Sequence, residues 1–211
     1  MNEFELLRPR SKHETLTLLA EHRDGARLIA GGTGLVNLMK QQLAFPERLI
    51  SLHDVGELQG IQLTDEGLHV GAGCRLIELE DDPALDAPGW AMLKDTLAEV
   101  ASPRVRSMAT VGGAVAHGDP HQDTPAALIA LDALAVLETL SGRREVALTD
   151  LYTDYYETTI EANEMVTSIY LPRFDERTSA AYAKFLPRSA EDYATVAVAV
   201  RLTMSDADPG Q

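Results

Sequence analysis

Ala26-Arg27-Leu28-Ile29-Ala30-Gly31-Gly32-Thr33-Gly34-Leu35 carries the reading of the fold. Leu28 to Ala30 is an apolar run short enough to be a buried strand, and Gly31 to Gly34 breaks it. Leu35 to Gln42 then reads as a short helix. Glycines at a strand-to-helix turn let the backbone take positive φ and approach a ligand closely. Successive N–H groups at a helix start can form an anion-binding nest. Working outward, Phe4 to Leu7 is a short apolar strand. Ser11 with Glu14 is a capping-box signature that opens a helix running to about Arg23. Arg48 to Leu52 is a further strand. Strand, helix, strand, loop, helix, strand is the order of an α/β unit with parallel pairing.

Beyond Leu58 the pattern changes. Ile61 to Leu63 and Leu68 to Val70 flank the turn Thr64 to Gly67, a hairpin. Arg75 to Glu80 and Met92 to Val100 read as helices. Asp123 to Leu131 is a helix with Pro125 in its first turn, where the missing N–H does no harm, and Asp123 suits its N-cap. Ala133 to Thr139 and Arg143 to Leu148 form a second hairpin. Val166 to Leu171 is a strand ending at Pro172. Ala180 to Leu186 and Ala194 to Met204 alternate as two more strands. The charged stretch Pro172 to Thr178 is the best boundary.

Composition bounds the function. The chain has 211 residues, 18 Lys+Arg and 33 Asp+Glu, for a formal net charge of −15. Such a charge disfavours nucleic-acid and anionic-membrane partners, and any bound anion must be held by local backbone N–H groups. No run of about 18 apolar residues exists, so no transmembrane segment is expected. Cys74 is the one cysteine, which excludes an internal disulfide or a cysteine-ligated cluster. The expected location is cytoplasmic, and any redox chemistry would run through an organic cofactor.

Ala109-Thr110-Val111-Gly112-Gly113-Ala114 is a second glycine-rich loop with the same nest-forming capacity as the first. Two nests suit a diphosphate joining two groups, although each could be only a tight turn. No Gly-x-Gly-x-x-Gly or P-loop sequence is present. His117, Asp119, His121 and Asp123 resemble metal ligands by type. Gly118 and Pro120 prevent the helical face such ligands exploit, so these acids are read as helix caps and no metal is assigned. A metal-dependent enzyme using those four residues stays as a rival. Lys184 sits in an alternating strand, and its spacing alone makes it a solvent-facing lysine.

Four segments together resemble a known family: Ala30-Gly31-Gly32-Thr33; Arg106 with Thr110 to Gly113; Asp119-Pro120 with Asp123-Thr124-Pro125; and Tyr182-Ala183-Lys184 with Asp192-Tyr193-Ala194. In that order and spacing they are similar to the FAD-binding (medium) subunit of the molybdenum hydroxylases, the carbon monoxide dehydrogenase and xanthine dehydrogenase group. The resemblance runs from Phe4 to about Met204. It implies an α+β fold: a vanillyl-alcohol-oxidase (PCMH)-type FAD-binding domain over 1–172, with subdomains of about 1–52 and 53–172. An incomplete antiparallel-sheet domain would occupy 178–211, since relatives continue past this endpoint.

The implied cofactor is FAD. Gly31, Gly32, Thr33 and Gly34, with Ala109, Thr110, Gly112, Gly113 and Ala114, would bind its pyrophosphate, framed by Leu28, Ile29, Ala30 and Leu35. Many relatives carry Asn where this chain has Ala114. Asp123 would take a ribose or ribityl hydroxyl, and Met165 and Val166 would lie near the adenine or flavin edge. Lys184 would stabilise charge on reduced flavin, and Tyr193 would lie beside the ring. The implied activity is that of a flavoprotein oxidoreductase subunit. It would pass electrons from a 2Fe-2S small subunit, alongside a large subunit with the molybdenum cofactor, to an external acceptor. The implied assembly is a heterohexamer of two heterotrimers. A truncated FAD-free paralogue acting as an interaction or assembly protein is the alternative.

Overall fold

The computed structural model describes residues 3–87, 89–187, 189 and 191–204. The N-terminal unit runs β1 (Glu5–Leu7), α1 (Lys12–His22), β2 (Ala26–Ile29), α2 (Leu35–Lys40) and β3 (Arg48–Ser51). Its three strands pair in parallel in the order β1-β3-β2, with Leu28 opposite Ile50. Helix α1 begins where Ser11 accepts the Glu14 N–H at 3.1 Å. The reciprocal arm differs from the expected capping box: the Glu14 carboxylate takes the N–H of Arg10, at 2.8 Å, one residue before the cap. Arg23, at φ 41°, turns the chain out of the helix. Leu16, Leu19, Ile50, Leu52, Val55 and Leu58 form a small core closed from the far side by Met165.

The second unit is built on a five-stranded antiparallel sheet, β4-β5-β10-β6-β7. In chain order it contains β4 (Ile61–Leu63), β5 (Gly67–Gly71), α3 (Leu76–Glu80), α4 (Ala91–Ala98), α5 (Pro103–Arg106), α6 (Val111–Ala116) and α7 (Asp123–Ala130). There follow β6 (Leu134–Thr139), β7 (Gly142–Ala147), α8 (Leu148–Leu151), the short ribbon β8 (Tyr152–Asp154) and β9 (Glu157–Thr158), and β10 (Met165–Pro172). Strand β10 is central, with Ile169 between Val70 and Ala135. One face of the sheet is buried under α3, α4, α6 and α7 by Leu68, Val70, Leu79, Leu93, Leu97, Leu128 and Leu137. Each such side chain contributes about 1.5–3 kcal/mol of burial. Val166 belongs to this core and Met165 to the smaller one, so β10 ties the two units together.

The last two strands, β11 (Thr178–Phe185) and β12 (Val196–Thr203), form an antiparallel hairpin. Its inner face (Ala180, Tyr182, Ala199) rests on the main core beside α4 and α7. Arg201 pairs with Asp132 and lies 4.7 Å from the centre of the Phe174 ring. The outer face exposes Phe185, Val196, Val198, Val200 and Leu202.

Two sequence expectations need correction. Thr110 to Ala114 is not a loop after a strand. Helix α5 precedes it, Thr110 makes an isolated bridge to Arg75, and Gly112 and Gly113 lie in the first turn of α6. Asp123 is not the N-cap of α7. Gln122 occupies that position, which leaves the Asp123 carboxylate free for the hairpin.

Candidate functional site

The first glycine segment is held in place by its neighbours. A Cβ on Gly31 would stand 1.9 Å from the Met108 carbonyl oxygen, so the two glycine segments touch backbone to backbone. A Cβ on Gly34 would stand 2.5 Å from Nε2 of His117. Gly32 has φ 70°, which favours glycine. The carbonyls of Gly32, Thr33 and Gly34 accept from Val36, the Asn37 side chain and Leu38. The N–H groups of Gly32, Thr33 and Gly34 meet no acceptor among the described residues. Three successive N–H groups at the start of α2 are thus unpartnered among the described residues, as an anion-binding nest would require. Leu28, Ile29, Ala30 and Leu35 are half-buried around it.

The second segment is built differently. The N–H of Val111 donates to Cys74 O, that of Gly112 to Ala72 O and that of Ala114 to Thr110 O, each at 2.9 Å. Gly113 N–H donates to the Thr110 hydroxyl at 3.1 Å. A Cβ on Gly112 would stand 2.5 Å from that of Ala72. This turn therefore fastens α6 to the strand end at Ala72, and its donors are committed. Ala109 and Ala114 are buried, whereas Gly113 is exposed. A Cβ on Gly113 would meet only the Thr110 hydroxyl, at 2.9 Å, and Ala30, at 4.0 Å. Beside both segments lies a cleft of about 750 Å³ bounded by Ala30, Gly31, His53, Arg75, Met108 and Thr110. Cys74 closes its wall. Burial pushes that thiol up, and Gly60 hydrogen-bonds it at 3.2 Å, so it is a structural residue.

Two buried acids follow α6. Asp123, 5% exposed, accepts from the Tyr182 hydroxyl and, at 2.8 Å, from Nζ of Lys184. The Lys184 side chain is 1% exposed and also reaches Glu99 O at 2.9 Å, so it is no solvent-facing lysine. Asp119, 3% exposed, accepts from His121 and from the Tyr193 hydroxyl. Burial raises the Asp119 carboxyl, but the hydrogen bonds from His121 and Tyr193 outweigh it and hold the group below its ordinary value. Burial, reinforced by Asp119, pushes the Tyr193 phenol up to about 12. Burial lowers His117, which leaves its ring neutral at pH 7 against Gly34. No group of three or more metal-capable side chains lies together among the described residues. Met165 and Val166 are engaged in core packing.

Residues 2–174 match the family described as the FAD binding domain in molybdopterin dehydrogenase. The chain belongs to that family. It is 39% identical over 202 residues to the carbon monoxide dehydrogenase medium chain of Afipia carboxidovorans, covering 96% of this chain and 69% of that one. It superimposes on carbon monoxide dehydrogenase from Hydrogenophaga pseudoflava with a TM-score of 0.92 and 37% identity, over 97% of this chain and 70% of that one. For quinoline 2-oxidoreductase from Pseudomonas putida the TM-score is 0.89 at 31% identity, over 97% and 70%. The fold is thus the α+β FAD-binding fold of the molybdenum hydroxylase medium subunits, the cofactor is FAD, and the chain is of the oxidoreductase-subunit type.

The residues present fit a dinucleotide: a phosphate needs free donors, which Gly32 to Gly34 offer, and a side-chain-free approach, which Gly113 offers. Gly31, Gly34, Thr110, Gly113 and His117 are brought together. Asp123 and Lys184 meet each other. Sequence reasoning missed His117 against Gly34, Tyr156 against His117, and Asp119 as an anchor for Tyr193. The spacing of Asp119 and Asp123, four residues apart across the Pro120-His121 turn, was the available signal.

Proposed function

We propose that this chain is the FAD-binding electron-transfer subunit of a molybdenum hydroxylase complex. It receives electrons from iron–sulfur clusters of a 2Fe-2S small subunit, beside a large subunit holding the molybdenum cofactor, and passes them to an external acceptor. The complex is a cytoplasmic heterohexamer of two heterotrimers. Among the described residues no helix is long and apolar enough to cross a membrane. Two relatives are named as the medium chain of carbon monoxide dehydrogenase, and one cysteine is too few to hold a cluster here. Bound FAD supplies a centre that accepts electrons singly and releases them in pairs.

The observation that carries this reading is the row of free N–H groups at Gly32, Thr33 and Gly34, next to Gly31, which packs on Met108, with the exposed Gly113 near Ala30. The first segment holds the pyrophosphate. Thr110 and Gly113 shape the opposite wall, and Gly112, Ala109 and Ala114 hold that wall in place. Residues 1–52 and 53–172 are the two subdomains that grip the cofactor, and the hairpin from 178 belongs to a separate domain, whose residues 205–211 lie outside the described residues. Asp123 orients a ribose or ribityl hydroxyl. Tyr193 lies beside the flavin, and Lys184 holds Asp123 in position. Gly113→Val tests the site. Its side chain fills the gap toward Ala30 and should weaken FAD binding by about a hundredfold or more, about 2.7 kcal/mol, with far-UV circular dichroism unchanged. A folded variant that keeps stoichiometric flavin absorbance near 450 nm would overturn the assignment.

A further inference from the structure

Phosphate binding leaves unused a cluster of titratable groups at the far end of the glycine loop. The His117 ring lies against Gly34 and meets Tyr156 edge-on, with ring centres 5.4 Å apart. Tyr156 in turn faces Asp119. One Asp119 oxygen accepts both the backbone N–H and Nδ1 of His121, each at 2.9 Å. The other accepts the Tyr193 hydroxyl at 3.1 Å. An ionised carboxylate only accepts, so Nδ1 of His121 carries the hydrogen and Nε2 is left to exchange protons. The His121 side chain is 54% exposed, and its ring centre lies 5.6 Å from that of Tyr193. One nitrogen is fixed on a buried carboxylate, on a ring that is open to water and beside Tyr193. That is the arrangement of a general acid–base histidine.

We propose that His121 is the proton donor to the bound flavin and that Asp119 is its positioning residue. This rests on the flavoprotein reading above. Iron–sulfur clusters deliver electrons singly and without protons. Two clusters each lose one electron, and the flavin gains two electrons and one proton at a ring nitrogen. Nε2 of His121 first takes a proton from water, with Nδ1–H still held by Asp119, and the N–H bond so formed then breaks to pass that proton to the flavin. The groups facing His121 are Asp119 from its own loop and Tyr193 from the hairpin turn. Tyr156, His117 and Asp123 stand behind them.

The test uses the full chain loaded with FAD and mixed with reduced methyl viologen, a one-electron donor that carries no proton. Bleaching of the flavin band is followed against pH in H2O and D2O. His121→Gln should bind FAD like the wild type, bleach at least about tenfold more slowly and lose the solvent isotope effect. Imidazole added to His121→Ala should restore the rate, which a merely structural histidine would not allow. In the FAD-free chain, 15N NMR should show the Nδ1–H tautomer of His121, lost in Asp119→Asn. Equal rates and isotope effects in wild type and His121→Gln, or no rescue by imidazole, overturn the donor role. An Nε2–H tautomer overturns the role of Asp119. A wild-type chain that takes up no FAD overturns the flavoprotein reading itself.

Discussion

The two glycine segments look interchangeable on paper and are opposites in the molecule. Gly31 to Gly34 leaves its N–H groups free and is shaped from outside, by Met108 and His117. Thr110 to Ala114 spends its N–H groups on Cys74, Ala72 and its own cap, and so becomes the wall that does the shaping. A glycine pair is therefore ambiguous until its donors are followed: free donors mark a place for an anion, and committed donors mark a joint.

The largest test of that contrast is Gly31→Ala. A Cβ 1.9 Å from a backbone carbonyl cannot be absorbed by a rotamer change, so the two units must separate locally. We expect a loss of about 3 kcal/mol or more in urea unfolding, while Gly113→Ala, whose Cβ meets the Thr110 hydroxyl side chain rather than backbone, loses less. Equal losses would erase the distinction.

Asp123→Asn comes next. It takes the carboxylate counter-charge from the buried Lys184 amine, which should cost about 3 kcal/mol. Hydrogen exchange should rise first in β11, because that strand is what the ion pair holds. Thr110→Ala is smaller. It removes the side-chain cap of α6 and should cost about 1 kcal/mol by thermal unfolding, with FAD affinity falling less than in Gly113→Val.

The smallest effect is one of pH. The Asp119 carboxyl titrates below its unfolded value of about 3.9. Its contribution is therefore complete above about pH 4 and is lost as the pH falls below that. Asp119→Asn should flatten the acid limb of the stability curve.

The strand, turn and helix around Gly31 were legible because an apolar run, a glycine break and a new apolar run each have a local cause. The hairpins at Thr64 to Gly67 and at Ser141-Gly142 were legible for the same reason. Helix α6 was not, because Gly112 is required by contact with Ala72, a tertiary demand that overrides glycine's poor helix propensity. Asp123 looked like a cap because aspartate favours caps. Only the hairpin, which arrives more than fifty residues later in the chain, shows that its carboxylate serves Tyr182 and Lys184. The same contact converts Lys184 from a surface residue into a buried one.

The pressing of Gly31 against Met108 has a consequence for synthesis. On a ribosome the Gly31 to Gly34 loop emerges early, but the backbone that braces it is made much later. The N-terminal unit can pair β1, β2 and β3 as soon as Ser51 is out, yet its nest has no wall until residue 108 follows. A nascent chain stalled between those points would hold a formed sheet with an unbraced glycine loop.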